Sequence, residues 1–453
     1  MRFPRWAPAG VLCAMVATVA VAAPPVTKVV AQVAAPSAAP TVKDAAIRDE
    51  LAVAVRALWA ANPEVQSARA ELEAARARAV AASRPLYNPS IDAGIENADV
   101  RRRTIGLSLP LDLSGKRGAR TAVGAADLQA VEASYDRARR DVAARWLKAW
   151  LASALANQEE ALGKRRLELM QSFDELAGKR LKVGDVSSPE RDLAALALGE
   201  AQTQQATLLG RVAAARAALQ SLGDTGLDRL PAFAGQLPPE LEGADLVRSD
   251  TKIDELPELR EARSRTDAAY AGVKVAERNR IPDPVISLTG GRVNIAPSGP
   301  GPGGRLNYNV VGVGLSIPLP IRNTYSAEVN AARADADAAA ANLGTQRLSV
   351  RARLSEALSR YQALRTAGQS FRASRASAFD ERTRLLERLW NAGEITTSDY
   401  LIQLKQSLDT ALSGLQLQSE TWQAFIDYQV AADRLTAWVA SDAVHGNDKE
   451  YAQ

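Results

Sequence analysis

The chain has 453 residues, enough for two or three ordinary domains, with 47% apolar, 5% aromatic and 24% charged side chains and a single histidine. Alanine supplies much of the apolar share, and Ala with Leu, Glu, Arg and Gln favours long helices packed closely through small side chains. The 56 basic and 52 acidic side chains nearly balance once the leader residues Arg2 and Arg5 are set aside, so a pI near 9.1 gives no argument for a nucleic-acid partner.

In chain order, residues 1–22 read as a secretory signal: Arg2 and Arg5 form the positive head, Ala9 to Val21 the apolar stretch, and Ala20-Val21-Ala22 a small-x-small cleavage site. A Pro/Ala-rich linker, residues 23–43, follows and argues against a membrane anchor, and no later segment offers about 18 uninterrupted apolar residues. Cys13, the only cysteine, lies inside that signal behind Leu12, where a lipoprotein cleavage site needs a small residue. The mature chain is therefore expected to lack disulfides, thiolate metal sites and a lipid anchor.

Residues 44–245 and 246–441 read as two structural repeats, with a polar tail at 442–453. Asn62-Pro63-Glu64-Val65 and Leu256-Pro257-Glu258-Leu259 each open an Ala/Arg/Glu-rich helix that runs into a proline-containing break. The breaks are Asn88-Pro89-Ser90-Ile91 and Asp283-Pro284-Val285-Ile286. Period-two alternation follows in both copies, a strand signal. Ile91, Ala93 and Ile95, then Ile105, Leu107, Leu109, Leu111 and Leu113, alternate with polar or small residues in the first copy. Ile286 and Leu288, then Val311, Val313, Leu315, Ile317 and Leu319, do so in the second. Each set predicts a β-hairpin, with Arg101-Arg102-Arg103 in the first turn and a Gly/Pro-rich loop from Asn294 to Asn307 in the second.

Beyond each hairpin a stretch almost free of proline, Lys116 to Lys182 and Arg322 to Asn391, predicts a helix roughly 100 Å long at ~1.5 Å per residue. A glycine-centred tip ends each one, Val183-Gly184-Asp185-Val186 and Ala392-Gly393-Glu394, and a second long helix returns. In the last helix Leu401, Leu404, Leu408, Ala411, Leu415, Trp422 and Phe425 keep the 3-4 spacing of a coiled-coil seam. Four strands are too few to close a barrel alone. A strand face as apolar as Ile105 to Leu113 needs lipid or another subunit, and three chains would supply enough strands to close the edge. The expected fold is mainly α with a membrane β-barrel.

These residues resemble the TolC-type outer-membrane factor family and, within it, the heavy-metal CzcC-like branch. The resemblance is carried by Asn88-Pro89-Ser90, by Leu107-Ser108-Leu109-Pro110-Leu111-Asp112-Leu113-Ser114-Gly115-Lys116-Arg117, by Pro282-Asp283-Pro284 and by Gly314-Leu315-Ser316-Ile317-Pro318-Leu319-Pro320-Ile321-Arg322-Asn323, within a likeness spanning Asp44 to Ser441. It implies a homotrimer with a 12-stranded barrel in the outer membrane and a helical tube in the periplasm. It further implies a periplasmic adaptor (membrane fusion protein) docked on the tips, and an inner-membrane RND transporter driving export. Val183, Gly184, Asp185, Val186, Ala392, Gly393 and Glu394 are the expected adaptor contacts. Asp399 matches a position whose acidic side chain lines the family's periplasmic constriction, and the internal repeat extends that role to Glu190.

An enzyme finds little support. His445 lies in the polar tail, and Gly115-Lys116-Arg117 lacks the spacing of a phosphate loop. After the signal, one His, one Met (Met170) and no Cys leave no soft or imidazole metal cluster, and no cofactor is called for. The expected function is a passive conduit for divalent cations of the cobalt, zinc, cadmium and nickel type. The alternatives are the channel of a multidrug or organic-compound pump, or a soluble periplasmic coiled-coil scaffold.

Overall fold

The computed structural model describes residues 42–97, 100–223, 236–241, 253–295, 306–374 and 379–436. The signal, nearly all of the Pro/Ala linker, and the tail with His445 lie outside the described residues.

Helix α1 (Val42–Ala61) leads into α2 (Pro63–Ser83) through Asn62. The Asn-Pro pair explains the join: Pro63 takes the first helical position, where its missing N–H costs nothing, and the Asn62 side chain accepts the N–H groups of Glu64 (3.0 Å) and Val65 (3.2 Å). The same side chain donates to the Leu222 carbonyl at 2.7 Å, tying this cap to the far end of the repeat. Strands β1 (Ser90–Asn97) and β2 (Val100–Pro110) follow, then α3 (Lys116–Lys182) and α4 (Ser188–Gln220). The second copy runs from a short 3-10 turn at Ile253–Glu255 through α5 (Pro257–Asn279), β3 (Val285–Ile295), β4 (Leu306–Ser316), α6 (Ser326–Ala373), α7 (Phe379–Asn391) and α8 (Thr397–Ala431).

The four strands form one antiparallel sheet in the order β1-β2-β3-β4, so the two hairpins pair through β2 and β3 and leave β1 and β4 as free edges. Helix α3, ~100 Å long at ~1.5 Å per residue, is the spine: it packs on α2, α4, α5 and α8. Its Trp146, Leu147, Trp150 and Leu151 meet Leu51, Val55 and Leu58 of α1 and Ile426 of α8 in the largest apolar core.

Four expectations change. The triple arginine is not in a turn: Arg101, Arg102 and Arg103 all lie within β2, paired in register with Asn97, Glu96 and Ile95. The second loop is shorter at both ends than Asn294 to Asn307, because β3 extends to Ile295 and β4 starts at Leu306. The alternating runs outlast their strands, since Pro110 and then Pro318 and Pro320 have no N–H to continue the ladder, and Leu113, Ile317 and Leu319 lie beyond it. The helix expected over Arg322 to Asn391 starts at Ser326 and is interrupted between Ala373 and Phe379. Ser374 turns to extended backbone (φ −78°, ψ 154°) and its hydroxyl bonds back to the Phe371 carbonyl at 2.6 Å, the local competition by which serine ends helices.

Candidate functional site: helical tips, junction and sheet

Both tips close by the same backbone device. Gly184 (φ 76°) and Gly393 (φ 75°) adopt the left-handed conformation just past the ends of α3 and α7. Asp185 N–H reaches the Arg180 carbonyl and Glu394 N–H the Leu389 carbonyl, each at 2.9 Å. Inside these bonds, Gly184 N–H reaches Leu181 and Gly393 N–H reaches Trp390, each at 3.0 Å. That is the Schellman pattern, and it accounts for a glycine at each tip. A Cβ on either glycine would meet no atom within 4 Å, so the backbone dihedral and not crowding demands glycine there. The residue after each glycine is acidic where an apolar one is usual; Asp185 instead lies 3.7 Å from Arg180. Val183 is exposed, as are Asp185, Ala392 and Glu394, while Val186 is half-buried.

The returning helices begin alike. Glu190, in the first turn of α4, accepts both the N–H and the hydroxyl of Ser187 at 2.8 Å, and these bonds hold its carboxyl below the usual range. Asp399, in the first turn of α8, accepts the Thr396 hydroxyl at 2.7 Å, and its own N–H donates to that oxygen at 3.1 Å. The longer Glu reaches the backbone of the capping residue; the shorter Asp reaches only its side chain. Asp399 is exposed and Glu190 half-buried, and both serve as helix-capping acids within the subunit.

What joins the tips is not among the sequence expectations. Phe173 of α3, Trp390 of α7 and Tyr400 of α8 form an aromatic cluster with ring centroids 4.7 to 5.3 Å apart, and the Arg180 guanidinium stands 4.7 Å over Trp390. Burial pushes the Tyr400 phenol up to about 12. The only available signal was the placing of scarce aromatics close to both tips.

At the other end of the helices, the motifs that carry the family resemblance converge. Lys116, the first residue of α3, meets Asp283 at 2.8 Å with both side chains nearly buried, and the Tyr87 hydroxyl donates to the same Asp283 oxygen at 2.5 Å. That hydrogen bond, with burial, raises the Tyr87 phenol. Asp112 accepts the N–H groups of Lys116 (2.9 Å) and Arg117 (2.8 Å), so the Asp-Leu-Ser-Gly-Lys-Arg string caps α3 at one end and grips the second repeat at the other. Gly115 is left-handed here; in the second copy Tyr325 (φ 55°) takes that conformation before α6, its N–H bonded to Asn323.

The sheet has two unlike faces. Register places Ile91, Ala93, Ile105, Leu107, Leu109, Ile286, Leu288, Val311, Val313 and Leu315 on one side, with the large residues exposed. The other side carries Asp92, Gly94, Thr104, Gly106, Ser108, Ser287, Thr289, Gly312 and Gly314, small or polar, with Val293, Tyr308 and Val310 nearer the loops. No described helix is long and apolar enough to cross a membrane, and no described group of three or more His, Cys, Asp or Glu is placed to hold a metal ion.

The outer membrane efflux protein family model matches residues 54–223 and 251–429. The cobalt-zinc-cadmium resistance protein CzcC of Cupriavidus metallidurans is 22% identical over 210 residues, 46% of this chain and 50% of that one. The nickel-cobalt-cadmium resistance protein NccC of Alcaligenes xylosoxydans xylosoxydans is 26% identical over 233 residues, 49% and 52% of the two chains, so this chain spans about half the length of the curated relatives it matches. Among solved structures, the Campylobacter jejuni CmeC outer membrane channel shares the fold with a TM-score of 0.68 over 85% of each chain at 16% identity. Both repeats, with their hairpins and glycine tips, fall within the matched residues, and the chain belongs to the outer membrane efflux protein family.

Proposed function

We propose that this chain is the outer-membrane channel subunit of a tripartite efflux system, closing as a homotrimer with a 12-stranded barrel and passively conducting divalent heavy-metal cations out of the cell. The two-faced sheet with two free edges carries this reading. Its exposed apolar side matches a lipid-facing wall, its small polar side a water-filled lumen, and its edges need equivalent edges from neighbouring copies to satisfy their backbone groups. A conduit needs no tight binding site and would be slowed by one. The metal-resistance roles for which CzcC and NccC are named support a metal cargo.

In this reading Val183, Gly184, Asp185, Val186, Ala392, Gly393 and Glu394 dock a periplasmic adaptor that links to an inner-membrane RND transporter. Three copies each of Glu190 and Asp399 gather near the axis at the periplasmic mouth, where like charges attract cations. The test has two arms. The particle is expected to need detergent for extraction, to contain three chains and to conduct; a particle released by salt alone returns the chain to a soluble scaffold. Deleting the gene is expected to lower the tolerated concentration of cobalt, zinc, cadmium or nickel without changing drug tolerance, and the reverse result moves the cargo to organic compounds. Gly184→Trp with Gly393→Trp is expected to abolish resistance while trimers still form. Asp399→Ala is expected to reduce cation selectivity more than Glu190→Ala in bilayer recordings.

A further inference from the structure

Two arginines stand directly opposite each other on the apolar side of the sheet. Arg103 of β2 pairs in register with Arg292 of β3, which places their Cβ atoms about 5 Å apart on one face. Arg101, two residues further towards the loop on the same face, lies between Asn97 and Asn294. All three arginines are exposed, and among the described residues none has a carboxylate partner. Like charges placed opposite each other on a sheet repel, so this arrangement is unfavourable unless an anion lies between them. The intervening residue makes the contrast: Arg102 points to the other face and has Glu96 across from it at 3.8 Å. Among the described residues, a carboxylate thus stands by the arginine on the polar side and none by the three on the apolar side.

Their depth identifies the occupant. The rows of Leu109, Leu107 and Ile105 and their partners are apolar, and the next row towards the loops is Ile95, Arg103, Arg292 and Asn309. From Leu111, which lies just past β2 and keeps its N–H on the Pro284 carbonyl, to Arg103 is about 26 Å at ~3.3 Å per residue, roughly 20 Å across a membrane at the usual barrel tilt, close to the ~25 Å height of an outer-membrane apolar band. Gly290, two residues from Arg292 on the same face and open to solvent where a side chain would stand, leaves a gap just below the arginines. We infer that Arg103, Arg292 and Arg101 form a binding site for the phosphate groups of an anionic lipid headgroup, in the leaflet that meets the loop end of the sheet. The guanidinium forks match phosphate oxygens in paired hydrogen bonds, the flanking Asn97, Asn294 and Asn309 side chains can donate further ones, and the apolar rows below receive the acyl chains.

This site rests on the reading of the sheet as a membrane barrel, and the experiment separates the two. The purified detergent particle is incubated with diphosphorylated lipid A, its dephosphorylated form and phosphatidylcholine, and retained lipid is counted by native mass spectrometry. Wild-type protein is expected to prefer the diphosphorylated lipid by about tenfold or more, Arg103→Gln/Arg292→Gln to lose that preference while still retaining phosphatidylcholine, and Arg102→Gln to keep it. An unchanged preference in the double variant, or equal loss in Arg102→Gln, would overturn the site. So would displacement of the lipid by excess inorganic phosphate, which would indicate a free-anion site. Retention of no lipid of any kind would instead sink the barrel reading, and this inference with it.

Discussion

Asp433 follows α8 with a left-handed backbone (φ 51°) and faces Arg140 of α3 at 3.8 Å, with Glu258, Arg260 and Asp136 around it. Arg140 gives its closest bonds to Glu258 and Asp141, so burial wins at Asp433 and pushes its carboxyl up to about 6, against 3.8 in the unfolded chain. A raised carboxyl means that the folded state holds its proton more tightly than the unfolded state. The charge therefore costs stability in full above about 6, and the cost disappears as the pH falls through 6 towards 3.8. Asp433→Asn, which tolerates the left-handed backbone, is expected to raise the melting temperature at neutral and alkaline pH and to lose that advantage near 3.8; a constant difference across the range would refute the assignment. Lys116 makes the opposite case. Its removal strands Asp283, whose second carboxylate oxygen already has no partner, so Lys116→Met is expected to cost about 3–5 kcal/mol in denaturant unfolding, and Lys116→Met/Asp283→Leu considerably less. Neither pairing is readable from the sequence: Lys116 and Asp283 stand in two separate motifs, and what joins them is a contact between repeats 167 residues apart.

At the level of elements, the internal repeat made most of the fold legible, because period-two runs and proline-free stretches are local signals. Three-dimensional pairing explains what stayed hidden. Arginines at the end of a strand look like turn residues, and Ala373-Ser374-Arg375-Ala376-Ser377-Ala378 looks helical by composition although α6 stops at Ala373. The positions of Glu190, Asp399 and both tips were likewise legible, since each is fixed by its distance from a glycine; their relation to an axis between subunits is not written in one chain. Within the sheet, Gly290 and Gly291 are neighbours with opposite surroundings. A Cβ at Gly291 would stand 2.3 Å from the Arg103 carbonyl oxygen, whereas one at Gly290 meets nothing. Strand propensity alone favours valine at both sites. Gly291→Val is expected to separate β2 from β3 and abolish assembly, and Gly290→Val to assemble normally, as read from oligomer yield on semi-native gels.

For the whole molecule, the unlike faces of the sheet make an equally sharp comparison between adjacent residues. Leu288 is exposed on the apolar side and Thr289 lies on the polar side. If the apolar side meets lipid, Leu288→Lys costs about 2–4 kcal/mol near the membrane midplane. It is expected to lower the yield of folded particle, while Thr289→Lys alters conductance without lowering yield. Equal yields from the two variants would remove the lipid-facing assignment.

The two repeats also brace their tips differently, with α6 ending at Ala373 and α7 beginning at Phe379. In the first repeat one unbroken rod of 67 residues runs from the Lys116–Asp283 junction to the Gly184 tip, so a twist applied at that tip is delivered along its axis to the base of the sheet. In the second repeat α6 ends at Ala373, and α7, which starts at Phe379, lies against α8 and, through Trp390, against Phe173 of α3. A load at the Gly393 tip therefore enters the same aromatic cluster that braces the end of α3, so the two tips of a subunit share one strut.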